Sequence, residues 1–137
     1  MKSKLVVVCA LFAVLLCLCA CSSPGPKQVA VDESDAGSEV QLAVGDLLVV
    51  TLESNASTGF EWELTAITDT SVLEQVGQEF VPPESQGKPP MVGAPGKEVW
   101  TFKALKKGQS TISMEYSQPW EGGTKAAETF AISAVVK

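Results

Sequence analysis

The chain of 137 residues contains no histidine and no arginine, and its four cysteines all lie in the first 21 residues: Cys9, Cys17, Cys19 and Cys21. Residues 22–137 contain neither a thiol nor an imidazole. This part of the chain therefore cannot form a His-dependent triad, a Cys–His nucleophile, a zinc finger or a disulfide framework. Positive charge is also scarce. Without Lys2 and Lys4 of the leader, 8 lysines stand against 16 acidic residues, and this net charge of −8 predicts no basic patch and no nucleic-acid partner.

The first 21 residues are typical of an export signal. Two lysines precede the apolar run Leu5–Ala20, which is shorter than the roughly 20 residues that span a bilayer as a helix. The run ends in Leu18-Cys19-Ala20-Cys21, which resembles a bacterial lipobox: a cysteine preceded by a small residue, with a leucine three places before it. The alternative is an uncleaved helix that ends in a cysteine by chance.

The lipobox resemblance implies a signal peptide over 1–20, cleavage before Cys21, and acyl chains such as palmitate on this cysteine. Two or more acyl chains hold a protein firmly on a membrane. A lipoprotein of the bacterial cell envelope is therefore expected, on the outer membrane or on the external face of the cell membrane.

The next segment, 21–38, is predicted to be a flexible tether attached to the lipid. Lys27–Ser38 is rich in Asp, Glu, Ser and Gly, a composition that buries little apolar surface. The spacing of Asp32, Glu33 and Asp35 matches no EF-hand calcium loop, so this stretch is interpreted as solvated linker and not as a metal site.

From residue 39 onward the apolar residues recur with a period of two, which indicates β-strands. About seven short strands in 39–137, with no convincing helical stretch, predict an all-β fold, an immunoglobulin-like β-sandwich. A small β-barrel is the alternative. The inward-facing positions predicted by the alternation are Val40, Leu42, Val44, Leu48, Val50, Leu52, Phe60, Trp62, Leu64, Trp100, Phe102, Ala104, Ile112, Met114, Tyr116, Phe130, Ile132, Ala134 and Val136.

Short and long connections alternate along the body. Tight turns lie near Gly45, Thr68–Thr70 and Lys106–Gln109, and between them come a first loop (54–59), a second loop (81–96) and a third loop (118–126). Because successive strands run up and down a sandwich, the three longer loops are expected at the same end. Binding residues commonly lie on loops that a rigid sheet scaffold holds.

Taken together, the three loops resemble those of the chagasin-type inhibitors of papain-like cysteine peptidases. Members of that family carry Asn-Pro-Thr-Thr-Gly, Gly-x-Gly-Gly and Arg-Pro-Trp, in that order, on an immunoglobulin-like sandwich. The corresponding segments here are Asn55-Ala56-Ser57-Thr58-Gly59, Gly93-Ala94-Pro95-Gly96 and Gln118-Pro119-Trp120. The resemblance extends over 39–136.

The resemblance implies a reversible inhibitor that inserts its loops into a peptidase's active-site cleft and blocks substrate. It implies a papain-like cysteine peptidase as the partner, no catalytic residue, no cofactor and no metal, and a monomer is the default expectation. Met91 and Val92, which are apolar residues in the exposed second loop, are added to the site. The expected peptidase-binding residues are Asn55, Ala56, Ser57, Thr58, Gly59, Phe60, Met91, Val92, Gly93, Ala94, Pro95, Gly96, Gln118, Pro119 and Trp120.

Two other classes of function remain open from the residues alone. An enzyme would need carboxylates such as Glu61 and Glu63 as its acid–base pair, whereas their position on the polar face of a strand is typical of a solvated surface. A non-inhibitory envelope lipoprotein would use the same loops to bind a protein or a carbohydrate. Trp120 is either an exposed anchor for a partner or a side chain folded over the open end of the sandwich.

Overall fold

A computed structural model describes residues 24–84, 87–89 and 91–137. In this part of the chain, two four-stranded sheets pack face to face, with strand orders β1-β3-β6-β5 and β2-β8-β7-β4. The predicted all-β, immunoglobulin-like sandwich is confirmed, with eight strands where the alternation indicated about seven. They are β1 (Gln28–Val31), β2 (Glu39–Leu42), β3 (Leu47–Ser54), β4 (Glu61–Ile67), β5 (Leu73–Val81), β6 (Gly96–Ala104), β7 (Gly108–Ser117) and β8 (Glu128–Val136).

The core lies between the two sheets and is built by the alternation seen in the sequence. On β3, Leu48, Val50 and Leu52 are fully buried while their neighbours face outward, and Trp62 and Trp100 are 4% and 3% exposed. Burying each large apolar side chain contributes about 1.5–3 kcal/mol to folding. In the described part of the chain, all of the buried apolar residues lie between Val31 and Val136, so a fragment 22–137 contains the core that they form. Val44, predicted to face inward with Leu42, is instead 50% exposed, because β2 ends at Leu42 and Val44 lies in the turn before β3.

The pairing register places the three long loops at one end, as predicted. Ser54 at the end of β3 is opposite Gly96 at the start of β6, and Glu61 at the start of β4 is opposite Ser117 at the end of β7. We call this end the loop pole, which comprises residues 55–60, 82–84, 87–89, 91–95 and 118–127. The other end, formed by the tight connections 43–46, 68–72 and 105–107, is the turn pole.

The prediction of a flexible tether is wrong for residues 28–38. Strand β1 pairs in parallel with β3, with Gln28 opposite Leu47 and Val31 opposite Val50. Val31 is 6% exposed and belongs to the core. The physical reason is that a short polar segment gains its hydrogen bonds and its apolar contacts from a strand distant in sequence, which composition does not reveal.

The acidic residues predicted as solvated linker stabilise a turn between β1 and β2. Glu33–Asp35 forms a 3-10 turn, and the carboxylate of Asp32 accepts hydrogen bonds from the hydroxyl and the backbone N–H of Ser34. These bonds hold the pKa of Asp32 below its usual range. The Gly37 N–H then donates to the carbonyl of Ala131 on β8, which fixes this turn to the second sheet.

The leader lies outside the described residues, and so do the signal peptide 1–20 and Cys21. Within 24–84, 87–89 and 91–137, no helix is long and apolar enough to cross a bilayer.

Candidate functional site

The first loop is a compact turn held by its own side chains. Ala56–Thr58 forms a 3-10 turn, and the Asn55 side-chain oxygen accepts from both the backbone N–H and the hydroxyl of Ser57, at 3.2 and 2.6 Å. The Thr58 hydroxyl donates to the Asn55 carbonyl at 2.7 Å. Gly59 ends the turn with φ 76°, a left-handed conformation that favours glycine. The loop therefore has one defined shape before any partner binds.

A buried carboxylate lies beneath the first loop. Glu98 on β6 is 5% exposed, and its Oε1 accepts from the Ser54 hydroxyl at 2.7 Å and from the Trp62 backbone N–H at 3.0 Å. Because Ser54 precedes the loop and Trp62 follows it, this single oxygen joins the two strands that bracket the loop. Its Oε2 has no hydrogen-bond partner among the described residues.

Tyr116 supports the loop from the second sheet. Its hydroxyl accepts from the Asn55 backbone N–H at 2.8 Å, and its ring lies 5.3 Å from that of Phe60 and 5.2 Å from that of Trp62. Phe60 is thus part of the base of the loop and not of its tip. These aromatic contacts stabilise the position of the loop relative to both sheets.

The second loop contacts the first through a side-chain amide. Asn55 Nδ2 donates to the Gly93 carbonyl at 3.0 Å, and a turn closed by the Ala94 N–H and the Met91 carbonyl precedes β6. Met91 and Val92 are 79% and 102% exposed, so they are apolar side chains at the outermost part of the loop. Pro95 is also exposed, while Gly96 is buried at the start of β6, where a Cβ atom would lie 2.5 Å from the Val81 carbonyl oxygen.

The third loop is closed by Gln118. Its backbone N–H and side-chain oxygen bond to the backbone of Thr124 at 2.7 and 3.0 Å, and Lys125 Nζ donates to its carbonyl at 2.6 Å. Its Nε2 reaches the Thr58 carbonyl of the first loop at 3.5 Å. The glutamine therefore shapes its own loop and contacts the neighbouring one.

Trp120 rests against the first loop and still presents half of its surface to solvent. A Cβ atom on Gly59 would lie 2.4 Å from Cη2 of the indole, so a side chain at position 59 would displace the ring from this place. The side chain is 50% exposed. The two interpretations of Trp120 are thus combined, since one side of the ring covers the first loop and the other remains available to a partner.

The structure brings all three segments predicted to form the site together at the loop pole. The residue that sequence reasoning missed is Glu98, although a signal exists: it occupies an inward-facing position of the alternation that continues through Trp100 and Phe102. Glu61 and Glu63, weighed as an acid–base pair, lie at the first and third positions of the edge strand β4, exposed and half-buried. No group of three or more metal-ligating side chains occurs among the described residues.

The loop pole can bind through shape, apolar contacts and backbone hydrogen bonds. A cleft of about 280 Å³ lies between the first loop and β5, lined in part by Phe60, Gln78 and Phe80.

The fold and the site together define a β-sandwich that presents three interlocked loops as one binding surface. The chain belongs to the chagasin family: residues 41–134 match the family model described as Chagasin family peptidase inhibitor I42.

Relatives of known sequence and structure agree with this assignment. The chain is 32% identical over 105 residues to Amoebiasin-2 of Entamoeba histolytica, covering 77% of this chain and 82% of that protein. It is 30% identical over 105 residues to Chagasin of Trypanosoma cruzi, covering 74% and 92%. The crystal structure of the cysteine protease inhibitor EhICP2 from Entamoeba histolytica superimposes with a TM-score of 0.71 and 25% identity, covering 83% of this chain and 99% of that one.

The family match confirms the predicted class. The chain is a peptidase inhibitor and not an enzyme. The resemblance seen in the three loop motifs is confirmed as well, even though each motif departs from the family's pattern.

Proposed function

We propose that the protein inhibits papain-like cysteine peptidases by seating its loop pole in the active-site cleft. The observation that carries this proposal is that the three loops form one connected surface. Asn55 bonds to the second loop, Gln118 reaches the first, and Trp120 packs on Gly59. A surface that is already shaped loses little conformational entropy on binding, so an interface of ordinary size, about 1,600 Å², suffices for tight inhibition.

Each loop has a separate task in this complex. The first loop covers the catalytic Cys–His pair and offers backbone and hydroxyl groups around Thr58 and Gly59. Its 3-10 turn directs the chain away from the extended conformation that a substrate adopts, so no peptide bond is presented for cleavage. Trp120 contacts an apolar wall on one flank, and Met91–Gly96 contacts the other.

The departures from the family's motifs are compatible with this arrangement. Gln118 stands where the family has arginine, and it keeps hydrogen bonds to both its own loop and the first loop, although it has no charge. Pro95 replaces a glycine and removes one backbone donor from the second loop. Ala56 and Ser57 lie within the 3-10 turn, which the Asn55 side chain holds in the absence of the family's proline.

The test is a titration of papain with the soluble fragment 22–137, which contains the whole core. We expect inhibition, and we expect Trp120→Ala to weaken it by about tenfold or more, because a half-exposed tryptophan packed against an apolar wall of the partner is a typical binding hot spot. Val44→Ala is the matched control, since Val44 is also 50% exposed but lies at the turn pole. It should leave inhibition unchanged.

Thermal denaturation of both variants checks that neither change unfolds the domain. Absence of inhibition by the unsubstituted fragment, at micromolar concentration against papain and a cathepsin-like enzyme, would overturn the proposed function. Equal inhibition by Trp120→Ala and the parent fragment would remove this tryptophan from the interface.

We further propose that the protein is anchored in the bacterial cell envelope by lipid on Cys21. The lipobox Leu18-Cys19-Ala20-Cys21 supports this assignment. The fold is compatible with it, because the chain enters the sandwich at the turn pole, where the Leu47 N–H donates to the Lys27 carbonyl. A lipid attached shortly before this point leaves the loop pole free to bind a peptidase.

A further inference from the structure

The turn pole gathers lysines that are scattered in the sequence. Lys106 and Lys107 form the tip of the connection between β6 and β7, and Lys103 lies on β6 opposite Leu47 at the start of β3. Lys27 precedes β1 at the same end, where its backbone N–H donates to the carboxylate of Asp46. All four side chains are exposed. The expectation of no basic patch, drawn from the net charge, is therefore wrong at this pole.

Two exposed apolar side chains lie among these lysines. Val44, in the turn before β3, is 50% exposed, and Leu105, next to Lys106, is 38% exposed. Their turns are joined, because the Gly45 N–H donates to the Ala104 carbonyl at 2.8 Å. The turn pole thus presents two exposed apolar side chains near the ammonium groups of the lysines.

Three carboxylates lie at this pole, against the four lysines, so its charged side chains leave a small net positive charge. Asp46 is 8% exposed and is engaged by the backbone N–H groups of Ala43 and Lys27, which hold its pKa below the usual range. The carboxylate of Asp69 is bonded by the hydroxyl and the backbone N–H of Ser71. Glu74, opposite Lys103 on β5, is the third carboxylate at this pole.

The half of the sandwich nearer the loop pole has the opposite charge. Its lysines are Lys88, Lys97 and Lys125, whereas its carboxylates are Asp32, Glu33, Asp35, Glu53, Glu61, Glu63, Glu79, Glu84, Glu98, Glu115, Glu121 and Glu128. The molecule is therefore electrically polarised along its strands, with a positive turn pole and a negative loop half. Near an anionic surface such a dipole turns its positive end inward.

We propose that the turn pole is a docking surface for an anionic lipid bilayer, with Lys27, Lys103, Lys106 and Lys107 against the headgroups and Val44 and Leu105 at the interface. Each lysine near an anionic membrane adds a modest attraction, so the cluster binds weakly alone and more strongly once the domain is held nearby. Neither the affinity of the pole for anionic lipid nor the orientation of the loop pole away from the membrane requires the proposed lipid anchor, which would only hold the turn pole near the membrane.

The test measures binding of fragment 22–137, which lacks the lipidated cysteine, to vesicles. At low salt we expect it to sediment with vesicles of equal parts phosphatidylglycerol and phosphatidylcholine, and not with phosphatidylcholine alone. The double variant Lys106→Glu/Lys107→Glu should bind at least about tenfold more weakly than the parent fragment. The variant Lys88→Glu/Lys97→Glu changes the net charge equally at the other end and should bind like the parent fragment.

A second measurement reports orientation. Since the fragment has no cysteine, Thr70→Cys at the turn pole and Met91→Cys at the loop pole each give one labelling site. Energy transfer to a lipid acceptor should be strong from position 70 and weak from position 91. No binding to anionic vesicles, equal loss of binding in both double variants, or equal transfer from both labels would overturn the proposal.

The outcome is independent of the proposed function. Lys106→Glu/Lys107→Glu should inhibit papain like the parent fragment, because both lysines lie at the pole opposite the loops. Normal inhibition without vesicle binding overturns only the docking surface, and vesicle binding without inhibition overturns only the inhibitor.

Discussion

Glu98 is the residue on which the shape of the first loop depends most directly. One of its oxygens bonds to Ser54 before the loop and to Trp62 after it, across the gap between the two sheets. A carboxylate is costly to bury, and Glu98 stands among the apolar inward-facing side chains of β6. Its two hydrogen bonds offset part of that cost and hold the ends of the loop.

We expect Glu98→Gln and Glu98→Leu to differ strongly. Glutamine keeps an acceptor for the Trp62 N–H, and its amide nitrogen replaces an oxygen that has no partner among the described residues, so stability should change by less than about 1 kcal/mol. Leucine leaves the Trp62 N–H and the Ser54 hydroxyl unpaired in the interior, which should lower the free energy of unfolding by about 2 kcal/mol or more.

Urea denaturation measures the stability of both variants, and papain titration measures the position of the loop. At temperatures where both variants are folded, Glu98→Leu should inhibit more weakly than Glu98→Gln. Equal inhibition by the two would mean that Glu98 contributes to stability alone and does not position the loop.

At the scale of the elements, β1 shows how a short strand completes the fold. It is a four-residue edge strand that pairs in parallel with β3, and the chain then crosses to the other sheet, where β2 pairs in parallel with β8. The segment between them therefore joins both sheets along one side of the sandwich.

We expect Val31→Ala to lower the free energy of unfolding by about 1–3 kcal/mol, because Val31 is buried in the core and its truncation leaves a cavity. Val29→Ala is the matched control. Because Val29 is only partly buried against the core, its truncation should lower the free energy of unfolding by less. Urea denaturation of fragment 22–137 gives both values. If neither change altered the midpoint, the segment would behave as the tether that its composition indicated.

The strands were largely predictable and the contacts between loops were not. On β3, β6 and β8 the apolar residues alternate because one face of each strand is buried. The order of short and long connections predicted which loops lie at the same end of the sandwich. The parallel pairing of β1 depends on residues about 20 positions away, the separation between Gln28 and Leu47. The contact of Trp120 with Gly59 likewise depends on two loops whose approach no local pattern encodes.

Taken as a whole, the molecule separates two surfaces by the length of its strands. The loop pole carries the connected binding surface, and the turn pole carries the point at which the chain enters, together with the exposed lysines. This separation means that anchoring and inhibition need not compete for the same face.

Replacing Cys21 by serine in the full chain tests the anchor. We expect the unsubstituted protein to incorporate labelled palmitate and to lose its leader, and Cys21→Ser to do neither, because the modified sulfur and the cleavage site are both lost. Cys19→Ser is the control, since Cys19 follows a leucine and does not fit the lipobox. Equal incorporation of palmitate by Cys21→Ser and the unsubstituted protein, or none by either, would contradict lipid anchoring at Cys21.

The parallel pairing of β1 with β3 has a mechanical consequence. A peptidase bound at the loop pole and a lipid attached ahead of β1 would pull on the domain from opposite ends, along the direction of the strands. This tension loads the hydrogen bonds between Gln28–Val31 and Leu47–Val50 side by side and at the same time, so they resist as a group. A pull across the sheet would instead open them one after another. A domain anchored as proposed would therefore stay folded more readily under a load along its strands than under a load across them.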